Sequence, residues 1–249
     1  MLARHTSGVP APGNPAEVRA RLTVACAGGI PSSVPDHTCY FLTVRPENEP
    51  KGQTFIEKAR RAQIVAAAVD VIAEVGYAKA SLAAIAVRAG ISKGVISYHF
   101  SGKDELMVTI VETIYGEAAA HIVERMEGLE SPTELVRTHV TAAAEYMRER
   151  RSHVAALGQI FANLRAADGS PRYGMHTSDE LFAALERMYQ AGQAAGEFRE
   201  FDTRVMAVTH QGGIDDMFGY WMAHPELDLD AYARSLADLY VAAVRKESR

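Results

Sequence analysis

The chain has 249 residues, of which 48% are hydrophobic and 23% charged, and a net charge of −5. That length can bury a sizeable core and hold two modest domains, while no apolar run approaches the ~18 to 20 residues that span a bilayer. The two cysteines, Cys26 and Cys39, argue against a disulfide framework and against a four-ligand zinc site.

Seven of the ten prolines fall within the first 50 residues, where neither helical nor strand periodicity persists, so residues 1–53 read as a disordered leader. Pro10, Pro12, Pro15, Glu17, Arg19 and Arg21 interrupt any apolar signal segment, which points to a cytoplasmic protein. The leader reads more readily as an over-called start, with Val44 or another upstream residue as the true one, than as a DNA-contacting arm carrying Arg19 and Arg21.

From Phe55 the texture changes to Ala, Val and Ile among paired charges. Ile64, Ala67, Ala68, Val71, Ile72 and Val75 recur at three and four, the buried face of a first helix, and Gly76 ends it where a positive φ suits glycine. Ser81 caps a short second helix with Leu82, Ile85, Ala86 and Ala89 on its buried side. Gly90 then turns the chain and Ser92 caps a third helix. This compact helix, glycine turn, helix is the pattern of a helix-turn-helix, with Ile91, Ile96 and Phe100 as its core pegs. Ser101, with Asp104 three residues on, resembles a capping box that starts a long helix to about Glu127. Further helices are expected at about 132–149, 152–166, 177–195, 202–223 and 229–246, separated by glycines and prolines, and strand signals are absent.

Charge divides along the same line. Residues 51–103 carry eight cations against three anions, and residues 104–249 carry 14 cations against 24 anions. A basic N-terminal module on an acidic body orients itself toward a polyanion, because local field steers encounter more than total charge does.

The third helix is too short to be stable alone, since isolated helices need about 12 to 15 residues. Yet the side opposite Ile91, Ile96 and Phe100 presents Lys93, Gly94, Val95, Ser97, Tyr98 and His99. A helix laid in the major groove needs such groups: donors for phosphates and base edges, an apolar contact for a thymine methyl, and a small residue where backbone approaches DNA. Lys103, at the start of the fourth helix, and Ser81, at the start of the second, add groups at helix N-termini that favour an anion.

The stretch 81–106, SLAAIAVRAGISKGVISYHFSGKDEL, resembles the DNA-binding signature of TetR-type transcriptional repressors. The matching features are a Ser opening helix two, Ala-Gly-Ile-Ser-Lys-Gly leading into helix three, an aromatic-His-Phe ending, and Lys-Asp-Glu-Leu starting helix four. The resemblance implies an all-α homodimer without cofactor, in which residues 54–101 read a double-stranded operator. Residues 102–249 would bind a small-molecule effector and dimerise through the last two helices. The family's DNA contacts carry over by position to Ser81, Ser92, Lys93, Gly94, Val95, Ser97, Tyr98, His99 and Lys103. One position departs: Ser97 stands where the family usually has an aromatic residue, so the operator sequence does not carry over.

In the body, the last two helices hold Ala207, Gly212, Gly213 and Gly219 among Val205, Val208, Met217, Tyr220 and Trp221, then Tyr232, Leu236, Leu239, Tyr240 and Ala243. Such a surface suits a four-helix interface between two subunits. The same residues would serve one subunit's internal core, and it is the resemblance that favours the dimer. Tyr115, Tyr146, Met147, His153, Phe161, Phe182, Met188 and Trp221 are the candidates for a mostly apolar effector pocket. His210, Asp215 and Asp216 lack the spacing for one metal-binding helix face. No phosphate loop, Gly-x-Ser-x-Gly or His-Glu-x-x-His motif supports the alternative of a helical enzyme. A second alternative is a ligand-binding dimer that does not bind an operator.

Overall fold

The computed structural model describes residues 54–246; the leader, with Cys26, Cys39 and Lys51, lies outside them. Among the described residues the fold is all-α. Three short-range helices come first: α1 (Phe55–Val75), α2 (Leu82–Arg88) and α3 (Lys93–His99). The body follows with α4 (Lys103–Met126), α5 (Pro132–Met147), α6 (Arg151–Asn163), α7 (Asp179–Ala194), α8 (Thr203–Ala223) and α9 (Leu229–Val244), with a 3-10 turn at Met175–Thr177.

Local chemistry explains most of these limits. The side chains of Ser81, Ser92 and Ser131 accept from the N–H groups of Ala84, Val95 and Glu134, each satisfying a donor that the first turn leaves open. Gly76 and Gly90 adopt φ of +80° and +65°, the region that L side chains avoid. Two expected ends move. The cap of α4 is Gly102, and Glu105, rather than Asp104, reaches back to the Ser101 N–H at 2.7 Å. The sixth helix stops at Asn163 because buried Leu164 turns extended, and its carbonyl accepts from Arg172 N–H across a closed loop.

One core joins α1, α2 and α3 to the first half of α4 and to α6: Ile64, Ile72, Ile85, Ile96, Phe100 and Leu106 pack in one cluster with Ala156 and Ile160. The expected domain boundary after residue 101 therefore falls inside continuous packing. Because α1 lies against α2, α3, α4 and α6, its burial extends to Val65 and Val69, whereas Val75, expected inside, is exposed. Fully burying Ile96 and Phe100 contributes roughly 1.5–3 kcal/mol each, which is what holds a helix as short as α3. A second core joins α5, α7, α8 and α9 around Leu185, Tyr189, Met217 and Val241.

By length and a mean hydropathy of 1.3 over 18 of its residues, α4 is apolar enough to cross a membrane, although polar and charged residues interrupt its apolar run. Its apolar residues are divided between the two cores: Leu106, Met107, Ile110 and Ile114 in the first, Ile122 and Met126 in the second.

Candidate nucleic-acid interface

The short helix α3 is fixed from behind by α1. The Arg61 guanidinium donates to the His99 carbonyl, lies 4.1 Å from the Phe100 ring centre, and stands 3.7 Å from Glu105. Gln63 donates to the Ala89 carbonyl at 2.8 Å. The two helices of the turn thus have C-terminal carbonyls satisfied by one neighbour, a feature that local periodicity could not reveal.

With Ile96 buried, the other side of α3 faces outward. Ser92, Lys93, Gly94, Ser97 and Tyr98 are exposed, and Val95 and His99 are half-buried. Tyr98 is 75% exposed, unusual for so large an aromatic ring, and its edge meets the His99 ring at a centroid distance of 5.0 Å. Its hydroxyl donates to Glu57 at 3.4 Å. The Glu57 carboxyl is held below its ordinary range by hydrogen bonds from Thr54, with Tyr98 and His99 adding to the effect. Val87 on α2, 82% exposed, is a neighbour of this surface in sequence that the motif reading left out.

Two expected members of the set sit differently. Ser81 is exposed but separate, at the start of α2. Lys103 turns inward: its Nζ donates to the Tyr77 carbonyl at 2.5 Å and lies 4.1 Å from the Tyr77 ring centre. Burial pushes its pKa down, against the attraction of Asp104. The basic balance of residues 51–103 is also partly cancelled locally, because Arg88 pairs with Glu74 and with Asp70, while Lys58, Lys79 and Lys93 are exposed.

Gly94 carries its own signal. A Cβ there would meet nothing closer than the Ser92 hydroxyl at 3.6 Å, so the fold does not require glycine at this position. Glycine inside a helix costs roughly 0.5–1 kcal/mol relative to alanine. Gly94→Ala is expected to raise the unfolding free energy read from urea titration by about that amount, and, if α3 lies against DNA, to weaken that contact, because the added methyl faces outward.

Residues 64–110, from inside α1 to inside α4, match the family model for bacterial regulatory proteins of the tetR family. A transcriptional regulator of Chromohalobacter salexigens, BetI 1, is 41% identical over 85 residues, which is 33% of this chain and 41% of that protein. The fatty acid metabolism regulator protein of Bacillus subtilis is 25% identical over 195 residues, covering 74% of this chain and 95% of the relative. The likeness to the tetR family is carried by residues 64–110, and the chain spans less than half the length of BetI 1. The solved structure of a transcriptional regulator FadR from Bacillus subtilis in complex with stearoyl-CoA shares the fold, with a TM-score of 0.64 at 22% identity, covering 74% of this chain and 99% of that one.

The expected effector residues do not converge. Tyr146 and Met147 belong to the first core, Met188 and Trp221 to the second, and Phe182 is buried on α7. Tyr146 donates to Glu117 at 2.7 Å, the Arg151 guanidinium lies 4.6 Å from the Trp221 ring centre, and His153 is half-buried on α6. Tyr115 and Phe161 do meet, at 6.3 Å between ring centres, and Phe161 continues to Tyr173 at 5.3 Å. Burial pushes the Tyr115 hydroxyl up, with Asp215 as a second cause, and burial likewise raises the Asp215 carboxyl although solvent reaches it. A groove of about 720 Å³ between Ser131, Arg137, Glu197 and Arg245 contains none of the expected residues. The buried His210 ring is taken up by hydrogen bonds with Tyr189 and His139, and no cluster suited to a metal ion occurs among the described residues.

The expected dimer residues separate into two groups. Ala207, Met217, Trp221 and Tyr240 are buried within one chain. Val205, Gly212, Gly219 and Tyr220 are exposed on α8, and Leu239 and Ala243 on α9. The first group is internal core; the second is exposed, with Thr209 and Asp216 interspersed along α8 and Tyr220 packed on His224.

Proposed function

We propose that this chain is a TetR-type regulator, two copies of which pair through the exposed face of α8 and α9 and repress transcription by placing one α3 each in successive major grooves of a palindromic operator. Residues 54–101 read the DNA, and residues 102–249 bind the effector and the second subunit. The observation that carries the reading is the outward cluster of Ser92, Lys93, Gly94, Ser97 and Tyr98 on a helix whose other side is locked into the core. Lys93 and Tyr98 contact phosphates, and Val95 and Ser97 lie at base edges. Supporting the dimer, Val205, Gly212 and Gly219 recur along one side of α8, and a Cβ at Gly212 or Gly219 would meet nothing within its own chain. The effector is a small, largely apolar molecule, and the row Tyr115, Phe161 and Tyr173 beside Asp215 supports an aromatic seat with one acceptor. Its binding favours a dimer whose recognition helices no longer match the operator spacing, and DNA is released.

Fluorescence anisotropy on fragments selected from the genome tests this. Tight, fragment-selective binding should weaken steeply with salt. Tyr98→Ala and Lys93→Ala should each lower affinity about tenfold, and Lys93→Ala should make the salt dependence shallower by about one ion per contact. Equal, weak binding to every fragment, unchanged in both variants, would leave a ligand-binding dimer without operator recognition.

A further inference from the structure

We propose that Lys103 and Gln159 form a latch on the Tyr77 peptide that sets the angle of the reading domain against the body, so that Lys103 is a positioning residue and does not hold a DNA phosphate. This rests on the dimeric operator reading above.

Tyr77 lies in the turn between α1 and α2, directly after Gly76, whose φ is +80°. Its N–H donates to Gln159 Oε1 on α6 at 3.2 Å, and its carbonyl accepts from Lys103 Nζ on α4 at 2.5 Å. Two body helices therefore grip the backbone of one residue, one through its donor and one through its acceptor. The Tyr77 ring adds a third contact, since Lys103 Nζ lies 4.1 Å from its centre, within the range of attraction between a cation and an aromatic face. At Gly76, a Cβ would stand 3.5 Å from the same Gln159 oxygen, so the turn and α6 are already in close approach.

The position of this residue in the chain gives the latch its consequence. The helix-turn-helix hangs from the turn that contains Tyr77, so the direction of that turn decides where α3 points. At the other side, α4 begins at Lys103 and runs into the second core at Ile122 and Met126, and α6 packs along α1. A dimer reading two half-sites roughly 34 Å apart requires both recognition helices to be held at a defined angle. A single half-site makes no such demand. A lysine that contacted DNA would have to leave both the Tyr77 carbonyl and the ring, and its lowered pKa reflects a cation withdrawn from water.

The latch and a phosphate contact predict different binding patterns. Affinity is measured for the full palindrome and for a single half-site, over a salt series, with wild type, Lys103→Met, Lys103→Arg and Gln159→Ala, each checked for an unchanged far-UV spectrum. The latch predicts that Lys103→Met and Gln159→Ala both lose about tenfold in affinity for the palindrome, with half-site affinity and salt slope unchanged. Lys103→Arg, which keeps donors and charge, should retain most of the palindrome affinity. If Lys103→Met instead weakens half-site and palindrome equally and flattens the salt dependence, while Gln159→Ala does nothing, Lys103 is a phosphate contact and the latch is wrong. Unchanged binding in both variants would also overturn it. Failure of the wild type to select any fragment would remove the operator reading itself, an outcome visible before any variant is compared.

Discussion

Between pH 6.5 and pH 4 the folded protein is expected to lose on the order of 3 kcal/mol of stability through His139, one of a buried histidine pair. His139 of α5 and His210 of α8 meet with Nδ1 and Nε2 at 2.9 Å, and the other nitrogen of His210 lies 2.6 Å from the Tyr189 hydroxyl of α7. The Tyr240 ring of α9 stacks on His210 at 4.6 Å. The contact between the two rings holds one proton, and a second proton placed in it would set N–H against N–H. Burial pushes His139 down to about 4, and burial together with the neighbouring His139 pushes His210 well below its ordinary value.

The sign follows from linkage. Above about pH 6.5 both rings are neutral whether the chain is folded or not. As pH falls below that value the unfolded chain takes up protons that the folded chain refuses, so stability falls until the folded pKa is reached. For His139 alone, about 2 kcal/mol of the loss is present by pH 5, before ordinary carboxylates bind many protons. Urea titrations at pH 7.5 and pH 5 measure it. His153, also lowered by burial, contributes in the same window, so the comparison that isolates the pair is His139→Gln, which leaves His210 a partner. The variant should lose roughly 2 kcal/mol less than wild type between the two pH values. Equal losses would place the acid sensitivity elsewhere.

The second large effect is steric. Gly192→Ala is expected to destabilise by about 3 kcal/mol or more, because the new Cβ would overlap the buried Phe198 ring, which the backbone bridge to Arg245 holds in place. Gly213→Ala should cost about 1–3 kcal/mol, since its methyl would strike the Tyr240 hydroxyl that donates to the Thr209 and His210 carbonyls. The adjacent Gly212 is the control: its Cβ would meet nothing, so Gly212→Ala should leave the isolated subunit as stable or up to about 1 kcal/mol more stable. Urea midpoints of the three variants decide it, and a Gly192→Ala protein that unfolds like wild type would mean that α7 does not approach Phe198 so closely.

These neighbours illustrate what a sequence can and cannot carry. Gly212 and Gly213 look alike in the chain, and both were natural candidates for close helix approach. Only the crossing of α8 with α9 assigns Gly213 to the inside of one subunit and Gly212 to the outside. The effector candidates failed to converge for a related reason: apolar and aromatic residues at helical spacing mark burial, but two cores divide them, and spacing within one helix does not say which core a face meets.

Local sequence alone accounts for the first three helices, the caps at Ser81 and Ser92, the turns at Gly76 and Gly90, and the outward cluster around Lys93 and Tyr98. Each of those depends on groups within a few residues of one another, where capping bonds, glycine dihedral angles and the 3.6-residue period act. The tertiary structure decided the inward turn of Lys103 onto Tyr77, the hold of Arg61 and Gln63 on the ends of α3 and α2, and the meeting of His139 with His210. Those partners are 26 to 71 residues apart in the chain, so only the packing of whole helices brings them together.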